Sequence, residues 1–220
     1  IRALGANTIA FTVCFAVWTI FSIIGVQIKE DMGLSDTQFS LLIGTPILTG
    51  SLIRLVLGIW ADQYGGRPIF FMVMVSSAAF TWMLTYADTY IMLLLTALGV
   101  GIAGGSFVVG ISYLSKWYSK ERQGTALGVY GMGNIGAAVT KFIAPFVMVA
   151  YGWHTVAQVW AAALFIIAFV YWFVTKDEPD LVERRKTGAK PKSMATALAP
   201  LKKLQVWRFS LYYFFVFGAF

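Results

Sequence analysis

Residues 124–145, GTALGVYGMGNIGAAVTKFIAP, are apolar enough to cross a bilayer, yet they carry Gly124, Gly128, Gly131, Gly133 and Gly136, with one amide, Asn134, in the middle. In water each glycine inside a helix costs roughly 1 kcal/mol against alanine. In lipid, helices associate by close packing, and small residues let two backbones approach or leave room for a ligand beside them. Packing of helix on helix would by itself account for the glycines. Asn134 asks for more, because an amide at that depth needs a hydrogen-bonding partner or a substrate.

The surrounding chain has the same character. Hydrophobic residues make up 59% of it, charged residues 12%, and the mean hydropathy is +0.74. A water-soluble domain could not bury so much apolar surface, which makes this an all-α membrane protein. Six apolar segments, near 6–28, 38–61, 68–87, 90–114, 124–150 and 154–175, each approach the roughly 20 residues that span a bilayer. A seventh begins near Val206 and runs to Phe220. The chain opens on Ile1 and closes inside an apolar run, so the expectation is the first part of a longer protein. The first segment is too long for a signal peptide and lacks its small-residue cleavage site. One cysteine, Cys14, provides no disulfide framework.

A net charge of +7 would point to nucleic acid in a soluble protein, but the placement of the charges excludes that reading. Fourteen of the seventeen basic residues fall before span one or in the connections after spans two, four and six. The opposite connections hold Lys29 among Glu30, Asp31 and Asp36, and later Asp88. The positive-inside rule then puts the N-terminus and the 176–205 connection in the cytoplasm. The Ala-Leu-rich end of that connection reads as an amphipathic helix on the membrane surface. Span three, with its run of Phe, Met and Val, reads as lipid-facing, and Pro46 and Gly50 in span two mark a kink or a thinned packing face.

Two basic residues lie inside spans. Arg54 in span two costs about 2.5 to 3.5 kcal/mol to insert, so it is expected to face a bundle interior or cavity. The alternative is snorkelling toward Asp62, about 12 Å along the axis. Lys141, close to two turns beyond Asn134 and on roughly its face, either lies on the path of an anion and takes part in coupling or snorkels to the outer interface. His154, the only histidine, sits beside Trp153 at the outer boundary and reads as interfacial rather than as a proton carrier.

The turn after span two, Gly58-Ile-Trp-Ala-Asp62-Gln-Tyr-Gly65-Gly66-Arg67, resembles the loop motif G-x-x-x-D-R-x-G-R-R of the major facilitator superfamily. Gly58, Asp62, Gly65 and Arg67 match it, while Gln63 and Gly66 replace basic positions. An ordinary turn with a helix cap would explain the glycines but not an acidic residue at that spacing. The resemblance implies a conformational latch formed by Gly58, Asp62, Gly65 and Arg67. It also implies a six-helix N-terminal bundle (1–175), a cytoplasmic connection (176–205) and the start of span seven (206–220) of a twelve-helix transporter.

Span four carries Gly104-Gly105-Ser106-Phe107, and span five carries Gly128-Val-Tyr-Gly131-Met-Gly133-Asn134-Ile-Gly136. With the intramembrane arginine, these runs resemble the nitrate/nitrite porter (NarK-like) family within that superfamily. Carried onto this chain, the resemblance implies that Arg54 binds the anion, Asn134 hydrogen-bonds it, Phe107 walls the site and Tyr213 on span seven donates to it. Gly104, Gly105, Gly128, Gly131, Gly133 and Gly136 would be packing positions of the signature. Measured from the cytoplasmic ends, Arg54, Phe107, Asn134 and Tyr213 lie about 10 to 15 Å deep, near one level.

The expected function is alternating-access transport of nitrate, with nitrite as a further candidate, by nitrate/proton symport or nitrate/nitrite exchange. The alternatives are a transporter of another small or organic anion and a non-transporting anion sensor. The chain lacks intramembrane histidine pairs, carboxylate clusters and a nucleophile with its base, which argues against an enzyme, and no cofactor or metal is expected. The expected partners are nitrate, nitrite or protons, the lipid bilayer and the C-terminal half of the same transporter. A bacterial inner membrane is the expected location.

Overall fold

The computed structural model describes residues 2–188, 196 and 198–218, and these contain helices and turns but no strand. The first apolar stretch forms α1 (Arg2–Trp18) and α2 (Phe21–Met32), separated by a break at Thr19 and Ile20. Span two is one helix, α3 (Asp36–Tyr64). A capping box opens it: Gln38 N–H donates to Ser35 Oγ and Ser35 N–H donates to Gln38 Oε1. The helix runs through Pro46 without interruption, and Gly50 thins a packing face, as described below.

Helix α4 (Gly66–Met83) buries Ile69, Phe70, Val73, Met74, Ser77, Ala78 and Thr81. Those positions recur at three- and four-residue spacing, the period of one helix face. Span three therefore packs through one buried stripe, while its other face, with Met72, Trp82 and Met83, is exposed as the lipid-facing expectation has it. A run of uniformly apolar residues conceals such a stripe, because lipid and protein interior accept the same side chains.

Span four comprises α5 (Tyr90–Gly101), a 3₁₀ turn (Ile102–Gly105) and α6 (Ser106–Ser115). Span five begins as α7 (Lys120–Gly131), passes through a 3₁₀ turn (Met132–Asn134) and continues in α8 (Ile135–Val174). Among the described residues five stretches are thus long and apolar enough to cross a membrane, the last running from Lys120 to Val174. That last stretch is two rods. At Gly152 the backbone takes φ 79°, ψ 167°, a conformation nearly confined to glycine, and the chain reverses. Trp160 Nε1–H donates to Thr140 Oγ1 at 2.8 Å, although a straight helix would hold these residues about 30 Å apart.

The core is one cluster drawing buried side chains from all six spans, and spans one, five and six meet within it. Thr140 Oγ1–H donates in turn to Ala16 O at 2.8 Å, one residue before the last turn of α1 gives way, so a single hydroxyl ties three rods at the break. Gly136 makes this approach close: a Cβ there would collide with the Thr12 carbonyl oxygen. At the end opposite Arg2, Trp153 Nε1–H donates to Asp31 Oδ2 at 3.0 Å, and His154 stacks on Trp153 with ring centroids 3.6 Å apart. Beyond span six come α9 (Pro179–Thr187) and α10 (Leu204–Gly218). The Ala-Leu-rich segment read between them lies partly outside the described residues, and within them it forms a 3₁₀ turn, Ala199–Lys202.

Candidate functional site

Arg54 is half-buried on α3 and reaches across to span four. Its Nε–H donates to Gly104 O at 3.0 Å, and its Cζ stands 5.6 Å from the centre of the Trp18 ring. Among the described residues it forms no salt bridge. The guanidinium thus has one backbone partner and one aromatic face, with no carboxylate neutralising it. It borders a groove of about 520 Å³ lined also by Gly58, Asp62, Val108 and Ser112.

Trp18 is held on all sides. Its Nε1–H donates to Pro46 O at 2.9 Å, and Phe15 packs 5.3 Å from it, centroid to centroid. The indole occupies a notch formed by Gly50 and Gly104, where an added Cβ at either position would come within 2.8 Å of Nε1. Aromatic contacts continue along span one. Phe15 meets Phe11 at 5.5 Å, and Phe11 meets Phe107 at 5.4 Å and Tyr130 at 4.8 Å. Phe107 is half-buried and parallel to Tyr130, whose hydroxyl donates to Ser106 O at 2.8 Å. Gly133 lies on the same Phe11 ring, where a Cβ would clash, and the adjacent Asn134 is exposed. Arg54 and Phe107 are therefore joined through one face of span one, and Asn134 lies next to Gly133 on the neighbouring span five without a described contact to either.

Tyr213 is exposed on α10, and no described contact joins it to Arg54, Phe107 or Asn134. Lys141 is exposed on α8, beside the buried Thr140. The glycines divide into two groups. Gly104, Gly105, Gly133 and Gly136 each sit where a side chain would strike a neighbouring helix. Gly128 and Gly131, expected to pack, meet no partner among the described residues of this chain: a Cβ at either, or at Gly124, would meet nothing within 4 Å. Among the described residues, no atom approaches that side of α7 at these three positions.

The turn motif forms a second cluster. Gly58 lets Val108 approach, a Cβ there lying 2.9 Å from Val108 Cγ1, and one turn further along both helices Ser112 Oγ–H donates to Asp62 Oδ1 at 2.7 Å. Gly65 has φ 104°, ψ 144°, and an added Cβ would meet the Leu181 side chain of α9. Arg67 donates through Nη1 to Asp177 at 3.1 Å and through Nη2 to Trp172 O at 2.6 Å, and it stacks over the Trp172 ring at 4.2 Å. Glu178, fully buried, accepts Gly66 N–H at 2.6 Å, and Lys116 spans Asp62 at 3.3 Å and Glu178 at 3.7 Å.

Several of these residues escape a reading by residue type. Trp18, Phe11 and Tyr130 are ordinary membrane aromatics until the helices are docked, and Asp177 and Glu178 resemble the start of a solvated connection. The available signal was steric: glycines at 50 and 104, on two different spans, permit either close backbone approach or a large side chain between them.

The chain matches the model of the Major Facilitator Superfamily over residues 7–220. Over its whole length it is 42% identical to the probable nitrate/nitrite antiporter NarK1 of Thermus thermophilus, covering 51% of that protein. It is 32% identical to the nitrite extrusion protein of Bacillus subtilis, with 99% of this chain and 53% of that one aligned. With the probable nitrate/nitrite transporter NarK2 of Mycobacterium tuberculosis the identity is 34%, covering all of this chain and 56% of the other. The chain thus spans about half the length of the curated relatives it matches. Among solved structures, an inward-facing, unoccupied bacterial homologue of the human lysosomal transporter Spinster superposes with TM-score 0.71 at 23% identity, over 80% of this chain and 43% of that one. An all-helical bundle with these spans and a family match over nearly its entire length is an integral membrane protein that belongs to the major facilitator superfamily.

Proposed function

We propose that this chain forms the N-terminal half of a twelve-helix nitrate transporter, with nitrite as a second cargo. The observation that carries the proposal is Arg54: a guanidinium inside the membrane with one nitrogen satisfied by a backbone carbonyl and no carboxylate beside it. Such a group favours an anion, and its planar fork suits the planar, delocalised charge of an oxyanion. The names of the relatives agree with that choice of cargo. Asn134 contributes a hydrogen bond, Phe107 a wall, and Tyr213 joins the site from span seven. Nothing in this chemistry calls for an enzyme.

The open side of α7 supports a second six-helix bundle seated against Gly124, Gly128 and Gly131, with the substrate between the halves. The distribution of basic residues supports a cytoplasmic N-terminus in a bacterial inner membrane. Asp62 and Arg67, linked to Glu178 through Lys116 and Gly66, act as the latch that holds one conformation until substrate favours the other. Lys141 lies toward the outer mouth on the same exposed side as Asn134 and takes part in coupling, as nitrate/proton symport or nitrate/nitrite exchange.

Labelled nitrate uptake into vesicles containing the full-length protein tests this reading. Arg54→Lys keeps the charge and removes the fork, and uptake should fall at least tenfold. A proton gradient and internal nitrite, imposed in turn, separate symport from exchange. Undiminished uptake in Arg54→Lys would make Arg54 structural and end the site assignment.

A further inference from the structure

Resting on the reading of Arg54 as the anion ligand, we infer that Trp18 is its positioning residue and that the anion meets the guanidinium end-on. An arginine side chain is long and loses much rotamer freedom when it is fixed, so a site that depends on the plane of the fork needs something to hold that plane. Two contacts do so here. Gly104 O takes the Nε–H at 3.0 Å, and the Trp18 ring faces Cζ at 5.6 Å. With Nε committed, Nη1 and Nη2 are the donors that remain for two oxygens of a planar anion.

Trp18 can serve as a platform because it cannot move. Its N–H is tied to Pro46 O on the helix that carries Arg54, and its indole fills the Gly50/Gly104 notch. Gly104 acts twice, its bare Cα admitting the indole and its carbonyl oxygen orienting Arg54. Trp18 touches no anion in this arrangement; it acts through Arg54. The consequence is selectivity. A fork held in plane favours nitrate over a spherical anion, whereas a loose guanidinium offers charge alone.

The test compares nitrate and chloride binding to the purified full-length protein and to its Trp18→Phe, Trp18→Leu and Arg54→Lys variants, with thermal unfolding to verify folding. Trp18→Leu should weaken nitrate about tenfold and leave chloride nearly unchanged. Trp18→Phe keeps an aromatic face without the N–H and should fall between, about threefold weaker for nitrate. Equal losses for both anions, or no loss for either, would show that Trp18 only fills space and would overturn the proposal. Arg54→Lys separates the two levels: if it binds nitrate as the unaltered protein does, the anion site itself is wrong. If it loses nitrate while Trp18→Leu keeps it, the positioning role alone fails.

Discussion

Gly136 and Gly128 belong to the same glycine run and meet opposite surroundings. At Gly136 a methyl would strike the Thr12 carbonyl oxygen, a backbone atom that can yield only by moving span one. At Gly128 the methyl would point into open space on this chain. Gly136→Ala is expected to destabilise the detergent-solubilised protein by roughly 1–3 kcal/mol, the usual penalty for overpacking. Gly128→Ala should leave the fold of this half unaffected, as read by its thermal unfolding. The sequence placed both glycines in one signature. Which of them packs depends on the rotation of the helix against its neighbours, which periodicity does not report when every face of the helix is apolar.

At the scale of elements, the break between α1 and α2 and the reversal at Gly152 decide how the rods are arranged. Thr140 joins them, since its hydroxyl accepts from Trp160 and donates to Ala16 O. Thr140→Val keeps the shape, orphans the Trp160 Nε1–H and leaves Ala16 O with the longer Thr19 Oγ1–H bond at 3.3 Å, at about 1–3 kcal/mol for the orphaned group. Thr140→Ser restores the hydroxyl and should recover most of that loss, whereas a purely steric role would make serine the worse of the two. The number of apolar spans was legible from length and hydropathy. The break in span one was not, because no proline or glycine stands at Thr19 or Ile20. Beside the break, Thr140 Oγ1–H approaches from another helix to donate to Ala16 O, and Thr19 Oγ1–H donates back to Phe15 O.

Across the whole molecule, the two ends of the bundle are held differently. One has the Trp153–Asp31 bond with its stacked His154, and the other has the cluster of Asp62, Arg67, Lys116, Asp177 and Glu178. Glu178→Ala removes the acceptor of Gly66 N–H and one partner of Lys116, and should destabilise the protein by about 3 kcal/mol, as when one member of a buried pair is lost. Glu178→Gln retains an acceptor and should cost less, and equal melting temperatures for the two variants would contradict an acceptor role toward Gly66 N–H. By itself the sequence determined that this is a multispan helical membrane protein of the major facilitator type, because hydropathy, charge placement and a motif with rigid spacing are local properties of the chain. It also singled out Arg54 and Asn134, because polar groups inside apolar runs are conspicuous. Only the tertiary structure decided which aromatics surround Arg54, which glycines are contacts and which carboxylates partner the motif. Those outcomes depend on how helices rotate and approach one another, and in lipid that is governed by steric fit between faces that look alike in sequence.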